Sequence, residues 1–140
     1  MAENLNVLLV DDEPDVCWAL DMLLQKHGHT VNAVSSGAAA LGRLNECGSV
    51  FSLIMVDAKL GDIEGVELAK RIRNDTPCAA PIILVSGYFY KDDSVVQDSL
   101  NAGLISAFVT KPFRHEEILS AIHAVLSINE IVAQRNNHAS

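Results

Sequence analysis

Five short β-prone runs alternate with stretches of helical periodicity along this chain, and that alternation limits what it can fold into more than any other feature. The runs are LNVLLV (residues 5–10), TVNAVS (30–35), FSLIMVD (51–57), PIILVS (81–86) and SAFVT (106–110). Strands separated by helices are joined by crossovers, and the sheet that results is parallel with helices on both faces. The nearly unbroken apolar character of the first, third and fourth runs suits strands buried on both sides.

The helical stretches have recognisable limits. From Pro14, a residue suited to a first helical turn, Val16, Ala19, Leu20, Leu23, Leu24 and His27 recur at helical spacing until Gly28 ends the helix. Ser36 is the expected N-cap of a second helix that presents Ala39, Ala40 and Leu44 and closes at Gly48. A glycine-bearing loop, LGDIEG, leads to a third helix over residues 66–73, and TPCAAP breaks it. Residues 87–103 are read as loop followed by helix. The last helix is expected from about Arg114, with Ile118, Leu119, Ile122, Val125 and Leu126 on one side. The fold class is therefore α/β, a doubly wound five-stranded parallel sheet with helices on both faces. Residues 1–128 are expected to form the domain, and 129–140 an extension of the last helix with a polar tail.

Composition narrows the function. At 140 residues, 49% hydrophobic and 20% charged, the chain can bury one core, and no apolar run reaches the roughly 20 residues that cross a bilayer. The start MAENLNVLLV has neither a basic flank nor a cleavage site, so a cytoplasmic location is expected, with no membrane contact. Cys17, Cys47 and Cys78 lack metal or redox spacing and are read as reduced thiols. The net charge of −8 argues against direct nucleic-acid binding. The modest basic strip of Lys59, Lys70, Arg71 and Arg73 is expected to be a solvated helix face.

In doubly wound sheets ligands gather outside the carboxyl ends of the strands. The residues there are Asp11 and Asp12, Asp57, Ser86 and Lys111. Three carboxylates brought together repel by roughly 1 to 4 kcal/mol per pair, depending on the effective dielectric, so the rim requires cations. Lys111 is one, and Mg²⁺, which prefers oxygen ligands and phosphate partners, suits the other. A carboxylate, a metal, a lysine and a small hydroxyl are also what phosphoryl transfer requires. Asp57 stands alone at its strand end and is the candidate nucleophile; Ser86 and Lys111 would each contact a phosphoryl oxygen. Glu13 need not ligate anything and is expected to begin the first helix with Pro14, where an acid favours the positive end of the dipole.

The acidic pair in LLVDDE, the IMVDAKLGDIEG loop around Asp57, LVSG after the fourth strand and FVTKPF around Lys111 together resemble the receiver domain of two-component response regulators. The likeness runs from about Asn6 to Leu126 and implies a sheet of flavodoxin-like type with strand order 2-1-3-4-5. The likeness also implies that Asp57 accepts a phosphoryl group from a histidine of a sensor kinase or phosphotransfer protein, with Mg²⁺ required. It further implies direct metal ligation by Asp12, Asp57 and the carbonyl of Lys59, with Asp11 acting through water. Ser86 takes the position of a switch hydroxyl, Phe108 that of a switch aromatic, and Lys111–Pro112 that of a cis bond that aims the lysine. Lys59 and Tyr88 occupy positions that tune phosphoryl lifetime. Such a domain catalyses only its own phosphorylation and dephosphorylation, and signals by conformational change to an output domain or protein partner. The last helix, apolar through Ile128 and Ile131, is open to two readings, a linker to an output domain or a dimer contact.

Two features depart from the family pattern: Leu60–Gly61 replaces the frequent Met-Pro, and the segment from Ser86 to Lys111, with GYFYKDD, is longer than usual. The rival readings are weaker. A haloacid dehalogenase type phosphatase would need Asp-x-Asp followed by Thr, where this chain has Asp11-Asp12-Glu13-Pro14; a flavodoxin-like cofactor binder would need a hydroxyl- and glycine-rich first loop. Trp18 falls off the apolar stripe of the first helix and is expected to be partly exposed, either as a kinase-docking aromatic or as one half covered by its neighbours. His27 and His29 flank a turn, and His115 and His123 are read as surface residues.

Overall fold

The computed structural model describes residues 4–47, 50–87 and 94–138. Its strands are β1 (Asn6–Val10), β2 (Thr30–Val34), β3 (Leu53–Asp57), β4 (Ile82–Gly87) and β5 (Ala107–Lys111), and its helices α1 (Pro14–Lys26), α2 (Gly37–Cys47), α3 (Gly65–Asp75), α4 (Ser94–Asn101) and α5 (His115–His138). All strand pairs are parallel, in the order β2-β1-β3-β4-β5. The winding reverses at β1, which has β2 on one side and β3 on the other. A crevice therefore opens at the carboxyl ends of β1 and β3, where Asp11, Asp12 and Asp57 lie.

The period of two along the strands divides the interior into two layers. Leu8, Val10, Ile54, Val56, Ile82 and Leu84 face α2, α3 and α4, packing with Leu44, Leu68, Ile72 and Val96. Val7, Leu9, Leu53, Met55, Ile83 and Val85 face α1 and α5, packing with Leu20, Leu24, Ile118, Ile122 and Val125. Each of the three central strands is thus buried on both faces, which is why their sequences do not alternate with polar residues.

Helix ends follow local chemistry. Gly28 adopts φ +88 directly after the C-cap of α1, a conformation that glycine reaches without a Cβ penalty. The third helix runs to Asp75, two residues past its expected end. Thr76 closes it, its hydroxyl donating to the Ile72 carbonyl at 2.7 Å and accepting from the Cys78 amide at 3.2 Å. Arg73 departs from the expected solvated strip: it is partly buried, and its guanidinium donates to the carbonyls of Cys78 and Ala80. The TPCAAP segment needs donors for carbonyls that no ladder satisfies, and Arg73 supplies them. His29 also proves structural, its Nδ1 accepting the Leu5 amide at 3.2 Å, and burial holds its imidazole below the usual histidine range. Gly48 and the segment 88–93, with Tyr88, lie outside the described residues.

The start of α2 is capped twice. Ser36 Oγ accepts from the Ala39 amide at 3.1 Å, as the sequence suggests. The carboxylate of Asp62, from the loop after β3, accepts from the Gly37 and Ala38 amides, each at 3.0 Å. Those two bonds hold the Asp62 carboxyl below the ordinary carboxylate range. A depressed acid contributes stability above its unfolded pKa and loses it as pH falls through its folded value. Asp62→Ala is therefore expected to lower the melting temperature at neutral pH, with the difference from wild type closing on acidification; melting curves across pH check this, and a pH-independent difference would refute the capping role.

Candidate functional site

Asp11 directly follows β1 and is 2% exposed. One of its carboxylate oxygens accepts from the Glu13 amide at 2.8 Å, and the other from the Lys111 ammonium at 3.2 Å. Asp57 ends β3 and is 6% exposed; its Oδ1 accepts from the Lys59 amide at 3.3 Å and its Oδ2 lies 3.5 Å from Lys111 Nζ. Asp12 is exposed at the lip of the crevice. Asp11, Asp12 and Asp57 each present a carboxylate oxygen, all within 4.8 Å of one another.

Lys111 arrives from the end of β5, and the Lys111–Pro112 peptide bond is cis. Besides Asp11 and Asp57 it meets Glu13, whose Oε1 is 3.0 Å from Nζ. This corrects the expectation that Glu13 merely starts a helix. It is the N-cap of α1, but its side chain makes no capping hydrogen bond and turns to the lysine instead. Nothing local signals the pair, since the two residues are 98 apart in sequence.

The charges shift one another. Burial pushes the Asp57 carboxyl up, the Asp11 charge adds to that, and Lys111 and the Lys59 amide only partly offset it. Burial alone would lower the Lys111 ammonium, but the hydrogen bond to Glu13 and the charges of Asp11 and Asp57 outweigh it, so its pKa is raised and the lysine stays charged. Burial followed by the Asp11 and Asp21 charges raises the Cys17 thiol, which donates to the Asp11 carbonyl at 3.2 Å and stays protonated. The crevice therefore holds more formal negative charge than Lys111 neutralises. Its donor set is entirely hard oxygen, the chemistry that a Mg²⁺-type ion fits and a soft metal does not.

The loop from Asp57 to Gly65 is held tightly. Lys59 and Glu64 form an antiparallel bridge across it, and the Gly65 amide donates to the Ala58 carbonyl at 2.7 Å. A Cβ at Gly65 would stand 2.5 Å from the Asp57 carbonyl oxygen and 2.8 Å from Ala58 Cα, so only glycine fits this approach. Ser86 lies in β4, 1% exposed, one residue beyond the Asp57–Val85 register pair. Phe108 in β5 is partly buried and packs against the layer that α3 and α4 cover. Trp18, 67% exposed, stands on α1 away from both layers.

The family model of the response regulator receiver domain matches residues 7–123. The chain belongs to this family. Among curated relatives of this receiver domain, the uncharacterised transcriptional regulatory protein YkoG of Bacillus subtilis is 32% identical over 127 residues, covering 91% of this chain and 53% of YkoG. The chain thus spans about half the length of that relative. A receiver domain protein of Methanospirillum hungatei superposes with a TM-score of 0.79 at 27% identity, covering 91% of this chain and 98% of that one. A Rhodopirellula baltica protein described as an adenylate cyclase superposes with a TM-score of 0.83 at 26% identity, covering 98% of each. Receiver domains are regulatory modules of two-component systems, and they generally bind Mg²⁺ in an acidic pocket. The family match does not favour the phosphatase reading.

Proposed function

We propose that this receiver takes a phosphoryl group on Asp57 from a phosphohistidine of a sensor kinase or phosphotransfer protein. The observation that carries the reading is the meeting of Asp57 with Asp11, Asp12 and Lys111 at one crevice, with the Asp57 carboxylate 3.5 Å from the Lys111 ammonium. An Asp57 oxygen attacks phosphorus as the bond to the histidine nitrogen breaks, so the step is positioning plus neutralisation of oxygen charge. Lys111 pairs with one phosphoryl oxygen and the Ser86 hydroxyl with another. Asp12, Asp57 and the Lys59 carbonyl would hold Mg²⁺, with Asp11 acting through water. The ion, when bound, neutralises charge on the transferring group.

The hydroxyl of Ser86, drawn toward the phosphoryl group, would let Phe108 turn inward, so a local charge becomes a change of surface around β4, α4 and β5. Residues 1–128 form the switching unit, and the continuation of α5 leads to an output domain or a second copy. The domain works in the cytoplasm, turns over no separate substrate, and makes no direct contact with nucleic acid itself.

Incubation with acetyl phosphate and Mg²⁺ tests this. One phosphoryl group per chain is expected by intact mass, abolished by EDTA and mapped to Asp57 after borohydride trapping. Labelling elsewhere, or steady ester turnover through Asp11, would overturn it.

A further inference from the structure

Glu13 is an N-cap residue that does no side-chain capping. Its carboxylate is well exposed, yet it makes the shortest of the three contacts to Lys111, 3.0 Å against 3.2 Å for Asp11 and 3.5 Å for Asp57. The lysine hydrogen-bonds to Asp11 and Glu13, while its contact with Asp57 is the longer ion pair. An exposed pair is ordinarily of little consequence. This one differs because its lysine side chain is only 16% exposed and points into the crevice.

An ammonium has three donors and no more. Asp11 and Glu13 take two of them, and the third is left for the side of Asp57, which lies 3.5 Å away as an ion pair. A phosphoryl group on Asp57 replaces the carboxylate's single charge with about two and brings strong acceptor oxygens to this spot. For more than that one donor to turn to the phosphoryl oxygens, the ammonium must release a partner. Asp11 is buried and cannot leave its site, whereas Glu13 is open to water and can be resolvated.

We propose that Glu13 is a positioning residue that competes with the phosphoryl group for Lys111 and so favours the unphosphorylated state, an inference that rests on Asp57 being the acceptor. In the resting protein it occupies one of the lysine's donors. On phosphorylation it is the partner displaced, and its charge then opposes the phosphoryl oxygens. The position of the Glu13–Lys111 pair thus sets how readily the domain accepts and keeps its phosphoryl group.

Glu13→Gln keeps the shape and removes the charge. At saturating Mg²⁺ it is expected to bind beryllofluoride several-fold more tightly than wild type, and the gain is expected to vanish when Lys111→Ala is also present. Equal or weaker binding, or the same gain without Lys111, would overturn the proposal, the latter because it would mean a general charge effect. A metal-free readout stands beside it. Solvent exchange of the Lys111 ammonium protons, followed by ¹⁵N NMR, is expected to be several-fold faster in Glu13→Gln, and unchanged exchange would equally overturn the proposal. If wild type fails to bind beryllofluoride or take phosphate from acetyl phosphate, the acceptor reading fails instead, and the exchange experiment still judges the Glu13–Lys111 pair.

Discussion

Asp57→Asn is expected to abolish phosphoryl uptake and, at the same time, to stabilise the metal-free protein. The first effect follows from losing the nucleophilic oxygen, since a neutral amide does not attack phosphorus. The second follows from the electrostatics of the crevice. Burial and the Asp11 charge raise the Asp57 carboxyl, so the folded state binds a proton more tightly there than the unfolded chain does. Stability is then lost as pH rises from the ordinary carboxylate range through the raised folded value, and at neutral pH the charged form is a net cost. Removing that charge is expected to gain about 1 kcal/mol, a rise of a few degrees in melting temperature for a domain of this size. Added Mg²⁺ should reverse the ranking, because the ion binds wild type more tightly and stabilises it by mass action. Melting curves with and without Mg²⁺ check both halves. A metal-free Asn variant no more stable than wild type would show that the acidic crevice carries no strain of charge.

Gly65→Ala is expected to be the most damaging single methyl in the region of the site. The new Cβ would fall 2.5 Å from a backbone oxygen of Asp57 and 2.9 Å from Leu84 Cδ1. The leucine can rotate away, but the backbone oxygen belongs to a central strand and cannot. The first turn of α3 must therefore lift from the end of β3, at about 1–3 kcal/mol for overpacking of this kind. Because the same loop carries Asp57 and Lys59, Mg²⁺ affinity should fall together with stability. Gly42→Ala is the control: nothing lies within 4 Å of its Cβ position, and in α2 the change should stabilise by up to about 1 kcal/mol. Urea unfolding and Mg²⁺ titration of the two variants test the contrast. Equal midpoints for Gly65→Ala and wild type would mean that the close approach is relieved at no cost.

The strands and the polar residues at their ends were legible because each is encoded locally. A run such as LIMV buried on both faces leaves no alternation, and a strand that stops at Val10 must deliver the next residue, Asp11, to the sheet's carboxyl edge. The helix stop at Gly28 and the cap at Ser36 were legible for the same reason, being functions of one or two neighbouring residues. Arg73, His29, Asp62 and Glu13 were not. Each is an ordinary surface residue by type and position, and each gained its role from a carbonyl, amide or ammonium supplied by another segment.

The alternation of elements, the class of fold, the family resemblance and the residues at the rim can all be read from the order of residues along the chain. How Lys111 is shared among Asp11, Glu13 and Asp57, that Asp62 ties the loop after β3 to α2, and that Gly65 lies against the Asp57 backbone emerge only where distant segments pack. Periodicity and capping depend on neighbours within a few residues, so they can be read along the chain. The lysine's contacts join residues up to 100 positions apart, and an ion pair depends on differences of half an ångström that register and packing set.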